Sequence, residues 1–400
     1  LLAQVLPSPL PDILFDGVGR PDNIESILRI ESNGDANFAN FDSANLTMEN
    51  VARGEYAPSF DPAPHVGRFD SLAEVRLGAF PRPEDGSSIA SAVYAAVPRK
   101  LSVWGLFKGN GASQDPIDGV LAYDLNTQLF ADHADKHRFI QLPVGQAMTY
   151  MDHGVLEFPI GTLIVKTFAY PIDDGERLLE TRIQQFGEHG WHGFSYKWNN
   201  EQTEAHLVLG GGQASGLNPT HTYEIPNANQ CLSCHEQNGV FQPLGPTAGN
   251  LNRKGQLEGW ASMGVLKGLP AIANVPALPV WNDDSTGTID DRARAWLDVN
   301  CAHCHNPVGT ARTTGLDLAL GQSNPAKLGV MKTPVAAGRG SAGRSYDIVP
   351  GKPEESILFH RIESDEPSIR MPTLGRNLAD KQAIALIREW IQQLNEESAE

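Results

Sequence analysis

The chain has 400 residues, 40% of them hydrophobic and 20% charged, enough for two or three packed units. Lys and Arg number 31 against 48 Asp and Glu, a net charge of −17 that sets the surface against a nucleic-acid partner. No run approaches the roughly 18 apolar residues of a membrane helix, so the chain is expected not to be integral in a membrane.

Residues 1–93 are polar and irregular, as in the stretch SNGDANFANFDSANLT over 32–47. Only Asp70–Leu77 and Ser88–Val97 carry short apolar content, and an N-terminal arm or small irregular domain is expected. Leu1–Pro7 lacks the basic region and longer apolar stretch of a secretory signal, so the sequence reads as mature or truncated. It also offers no N-terminal cysteine for a lipid anchor.

From residue 94 the pattern changes. Phe158–Tyr170 (FPIGTLIVKTFAY) is rich in β-branched and aromatic residues after a Pro-x-Gly turn. Arg177–Phe186, Gly193–Trp198 and Ala205–Leu209 have the same character, with Leu121–Phe130 and Arg138–Pro143 leading in. These predict an antiparallel β-rich domain over 94–250.

All four cysteines then fall in two strings, Cys231-Leu-Ser-Cys234-His235 and Cys301-Ala-His-Cys304-His305. C-x-x-C-H is the pattern of covalent c-type haem attachment. Two thiols three positions apart reach the two vinyl groups on one porphyrin edge, and the adjacent imidazole is directed at the iron. A Cys₄ zinc site would need closer knuckles and would leave both histidines unused. A redox dithiol would need a βαβ setting that neither segment has. Two haem c groups are therefore expected, with His235 and His305 on iron. Because haem is attached covalently outside the bacterial cytoplasm, an exported, periplasmic or extracellular chain follows.

Beyond Cys231 the helices are short. Asn252–Leu266 is a candidate, and Asp290–Val299, with its acidic start, runs directly into the second haem string. Asp380 is a plausible N-cap for a closing helix whose Ile384, Ile387, Ile391 and Leu394 share a face. The expected fold class is α+β: the antiparallel β domain, then a mainly α domain over 251–400.

Six segments together resemble a family of bacterial dihaem c-type cytochromes, often encoded beside a parallel β-helix protein. They are Lys100–Phe107 (KLSVWGLF), Tyr123–Phe130 (YDLNTQLF), Phe158–Phe168, Gly190–Trp198 (GWHGFSYKW), Asn300–Pro307 (NCAHCHNP) and Arg370–Gly375 (RMPTLG). The likeness spans about three quarters of the chain and implies cofactors and fold more than substrate. The C-terminal part is similar to class I cytochrome c, which places a methionine ligand in a loop before its last helix. That likeness makes Met371 the sixth ligand of the second haem, with His360 and Met331 behind it. The β domain is similar, more weakly, to cytochrome c′-β, which implies Lys166 near the first haem; an exposed strand lysine is the plainer reading of that residue.

The first haem has no equally clear sixth ligand. Met263 and the histidines at 133, 137, 192, 206 and 221 are alternatives, as is an open iron. Arg339, Arg344 and Tyr346 in a Gly-rich loop are candidates for haem propionates or plain surface residues. Three functions remain open. The first is electron transfer to a redox partner with a basic docking face. The second is an enzyme with an open first haem acting on peroxide, a nitrogen oxide or an organic substrate. The third is a structural cytochrome assembling into a chain, which leaves self-association open.

Overall fold

β-Branched and aromatic residues alternate with polar ones along the middle of the chain, and there a sheet forms. The structure, a computed structural model, describes residues 97–173, 175–215 and 221–395. The arm expected over 1–93 lies outside them. The strands are β1 (Val120–Ala122), β2 (Asp135–Gln141), β3 (Met148–Thr149), β4 (Leu163–Ile172), β5 (Gly175–Gly187), β6 (Gly190–Trp198) and β7 (Ala205–Leu207). All but β3 join one antiparallel sheet in the order β1-β2-β4-β5-β6-β7. A separate hairpin pairs β8 (Gly212–Ser215) with β9 (Thr222–Ile225).

Strand alternation sorts this sheet into two unlike faces. One presents Leu163, Val165, Ile183, Phe194 and Tyr196 to an apolar core closed by Val97, Leu101 and Trp104. Within it the Trp104 indole donates to Tyr196 Oη (2.7 Å), which donates to the Pro98 carbonyl (2.8 Å). The other face carries Arg138, Lys166, Arg182 and Ser195 as successive cross-strand neighbours.

The strand expected across 121–130 stops at Ala122. Beyond it, Asn126 and Thr127 donate their amides to the backbone and side chain of Asn250 instead of to a strand partner. Asn250 lies in helix α2 (Ala248–Leu251), which follows α1 (Ala228–His235). The helix expected over 252–266 contracts to α3 (Gln256–Ser262), because Lys254 and Gly255 before it and Gly264 after it are left-handed. Ala248, Leu257, Trp260 and Val275 share an apolar cluster with Ile140 and Ile164. Residues 251–275 thus pack with the sheet, which moves the packing boundary downstream of residue 250.

The remaining helices are α4 (Ile289–Leu297), α5 (Pro325–Leu328), α6 (Ile357–Glu363) and α7 (Lys381–Gln393). Asp380 caps α7 by accepting from the Ala383 amide (3.1 Å), as its position predicts. Ile387 and Ile391 are fully buried against Trp296 and Phe359, a contribution of about 1.5–3 kcal/mol per side chain. Trp390 Nε1 donates to Asp290 and ties the end of α7 to the start of α4 (2.7 Å). The helical part is joined to the sheet through buried Asp132, which accepts from the amides of Asn377 and Leu378 (2.7 and 2.8 Å). An antiparallel sheet followed by helices makes this an α+β chain. No helix among the described residues is long and apolar enough to cross a membrane.

Candidate functional site

The first Cys-x-x-Cys-His string is most of helix α1. A capping box starts it: Asn227 accepts from the Gln230 amide (2.8 Å), and the Gln230 side chain accepts from the Asn227 amide (2.9 Å). The helix ends at His235, where β10 (Glu236–Gln237) and β11 (Val240–Phe241) form a tight hairpin. Its turn is Asn238-Gly239, both with positive φ (52° and 78°), the pair such a two-residue turn favours. The hairpin lays Phe241 flat on the His235 ring, with centroids 4.9 Å apart at 7°. It also brings the Gln242 carbonyl to His235 Nδ1 (2.7 Å).

The second string follows α4, whose start is likewise boxed by Thr288 and Asp291. The backbone widens into a π-turn over Asp298–Ala302, so Cys301 leaves the helix at a wider turn, a distortion common at functional sites. His305 Nδ1 donates to Thr314 Oγ1 (3.1 Å), which itself donates to the Ala311 carbonyl (2.8 Å). The returning loop is tight: a Cβ on Gly309 would lie 2.4 Å from the Cys304 carbonyl oxygen, so only glycine fits.

In both histidines Nδ1 therefore faces an oxygen acceptor, which sets the tautomer with the proton on Nδ1. At His235 the Gln184 side-chain amide also stands 3.3 Å from Nε2. Burial, reinforced by Lys166 and Arg182, holds His235 down to about 3, and burial also lowers His305. Each is a neutral imidazole, the form that ligates.

Two cavities flank the strings. Cys231, Cys234 and His235 line the first, about 1060 Å³ including its open mouth. Cys301, Cys304 and His305 line the second, about 1210 Å³ on the same measure. Cys234, Asn300, His303 and the Met371–Pro372 segment belong to both walls.

Met371 lines both cavities. Its loop is held by the buried Arg376 guanidinium, which donates to the carbonyls of Met371, Arg361, Ile362 and Ser364. The other candidate ligands lie elsewhere. Met263 and Met331 are 59% and 43% exposed, and neither they nor His360 line either of these two cavities. His137 pairs with Glu176, and buried His221 contacts Tyr170 and Asp132. His133, His192 and His206 also stand outside both cavity walls. In the Gly-rich loop, Arg339 is paired with Glu366 and Arg344 donates to the Glu354 carbonyl; neither they nor Tyr346 line a cavity.

Lys166 is not the exposed strand lysine that was its plainer reading. It lines the first cavity with Arg182 and Gln184, because the face of β4 that carries it is covered by α1 and the helical part. Lys136 Nζ, Lys166 Nζ and Arg182 Cζ stand 5.9, 5.2 and 4.5 Å from the Phe168 ring centre. Buried Glu180 pairs with Arg182 and accepts from Tyr223 Oη (2.6 Å). Among the described residues neither lysine has a carboxylate partner. Burial, with the neighbouring arginines, lowers both lysines to about 7. Asp380 is also on this wall, and Lys166, without a carboxylate partner, suits an anionic group.

Sequence reading missed Arg182, Gln184, Thr314, Lys332, Arg361 and His303. One of these left a local signal, since His303 stands inside its string. The rest are brought in by strand register and helix packing. No family model matches the chain, and no curated protein or solved structure matches it significantly.

Proposed function

We propose that the chain is an exported dihaem c-type cytochrome that moves electrons between redox partners. One observation carries the reading: each cavity is lined by one complete Cys-Cys-His set whose histidine has Nδ1 tied to an oxygen acceptor. Cys231, Cys234 and His235 would hold one haem, and Cys301, Cys304 and His305 the other. Haem iron supplies one-electron redox chemistry at a potential set by its axial ligands and surroundings. The protein's part is to fix the imidazoles, keep them neutral, and offer Lys166 and Arg182 to negative charge in the first cavity. Packing of α4, which leads into the second string, against the closing helix α7 supports a class I-like C-terminal unit. Covalent haem attachment places such a chain in the periplasm or outside the cell, where its net acidity favours a basic partner face.

The donor atoms of Cys234, His303 and Cys304 all lie within 4.8 Å of one another and could seat a zinc ion. That use leaves Cys231, His235, Cys301 and His305 without a role, so haem is preferred. The enzyme reading keeps one specific support. Met371 stands on the wall of both cavities yet can ligate only one iron, which leaves the other without sulfur. The test is the protein matured in a host that attaches haem. The expected result is a mass of polypeptide plus two haems, one low-spin iron with the sulfur-to-iron band of His/Met ligation, and loss of that band in Met371→Ala. Zinc with no covalent haem overturns the reading. A high-spin iron that binds carbon monoxide after reduction turns it toward the enzyme.

A further inference from the structure

The two haem strings, far apart in sequence, touch one another. Cys304 Sγ stands 3.2 Å from the Ser233 carbonyl, which also accepts from Thr310 Oγ1 (2.7 Å). Gln237, just past the first string, donates to the His303 carbonyl inside the second (2.6 Å) and accepts from Asn306 (3.2 Å). Asn238 adds a backbone bond to Val308 (3.0 Å). The Cys234 and Cys304 sulfurs and a His303 ring nitrogen consequently lie within 4.8 Å of one another, on the wall between the cavities.

A thioether sulfur is bonded directly to the edge of its haem. Two sulfurs this close, each on a different haem, fix where the two edges meet. We propose that Cys234 and Cys304 join the two haems into one electronically coupled unit. In it an electron arriving at either iron is shared with the other through the paired sulfurs, and the first electron makes the second harder to add. This rests on the dihaem reading above. The exchange is balanced within the molecule: one iron loses the electron the other gains, with no bond made and no proton moved. The second step is harder because the two sites sit close together, so that charge added at one acts on the other. His303 holds the space between the sulfurs, with its carbonyl fixed by Gln237.

The test uses the matured protein, with haem counted first by mass. The double variant Gln237→Ala/Thr310→Val removes hydrogen bonds between the strings without touching a cysteine or a histidine. The wild type is expected to titrate with dithionite in two steps roughly tenfold further apart in affinity than those of the double variant. Its ferric EPR signals are expected to be broadened and fast-relaxing through mutual interaction. In the double variant the two steps move together and the signals sharpen, with two haems still bound. Fewer than two haems in the wild type overturns the dihaem reading and this inference with it. Two haems with sharp, slowly relaxing signals and independent one-electron titrations overturn this inference alone. Should the double variant not fold, the wild-type titration and relaxation still decide it.

Discussion

The wall of the first cavity is a sheet face carrying Lys166, Arg182 and Gln184, while the second is bounded by loops and helices around Lys332 and Asp347. In the second, Lys332 Nζ meets Asp347 at 3.0 Å, and Arg361 stands on the same wall. In the first, Glu180 answers Arg182 while Lys136 and Lys166 remain without a carboxylate. The histidines differ too. His235 gives its Nδ1–H to a backbone carbonyl, His305 to the hydroxyl of Thr314. The first site holds its imidazole with a main-chain carbonyl and the Gln184 side chain, and keeps a lysine without a carboxylate. The second pairs its lysine with Asp347, and its imidazole depends on the Thr314 hydroxyl. Two strings of one pattern thus sit in environments that would make two haems, if bound, unlike.

The largest test of that contrast is Glu180→Gln. Removing the buried partner leaves Arg182 uncompensated beside two further cations, and a loss of about 3–5 kcal/mol in urea unfolding is expected. Asp347→Asn, which strands a single lysine, should cost less. If the two losses are equal, the charge asymmetry has no energetic meaning.

Next in size is Thr314→Val. Loss of such an outer partner weakens metal ligation by about 10–100-fold. Added imidazole should displace His305 from ferric iron that much more readily, with His235 unchanged. No side-chain substitution can make the equivalent change at His235, since its acceptor is the Gln242 carbonyl.

A third test is a slope with pH. Lys136 and Lys166 have folded-state values near 7 against an ordinary 10.5. Between these values the unfolded chain holds protons the folded chain has released, so stability of the haem-free protein rises as pH climbs from 7 toward 10. Thermal unfolding across that range checks it. With haem carboxylates beside the lysines the slope should flatten, while Lys166→Met should flatten it partly in the haem-free protein.

Local chemistry was plain in the residues. Asp380 stands where a cap is needed, the isoleucines of α7 repeat at helical spacing, and β4, β5 and β6 follow their β-branched and aromatic runs. Each of these depends on neighbours a few positions away. The strand expected to continue through 123–130 failed because Asn250, distant in sequence, competes for its backbone. Lys166 read as an exposed lysine because its strand does not disclose what covers it.

The sequence by itself determined both cysteine–histidine strings, the capped helices that present them, and the alternation that makes a sheet. Only the tertiary structure decided that the strings touch at Cys234 and Cys304, that Arg138, Lys166 and Arg182 stand abreast, and that Met371 borders both cavities. The reason is physical. Caps, turns and periodicity act over a turn of helix or a hairpin, whereas register across strands and contact between helices join residues that no local pattern relates.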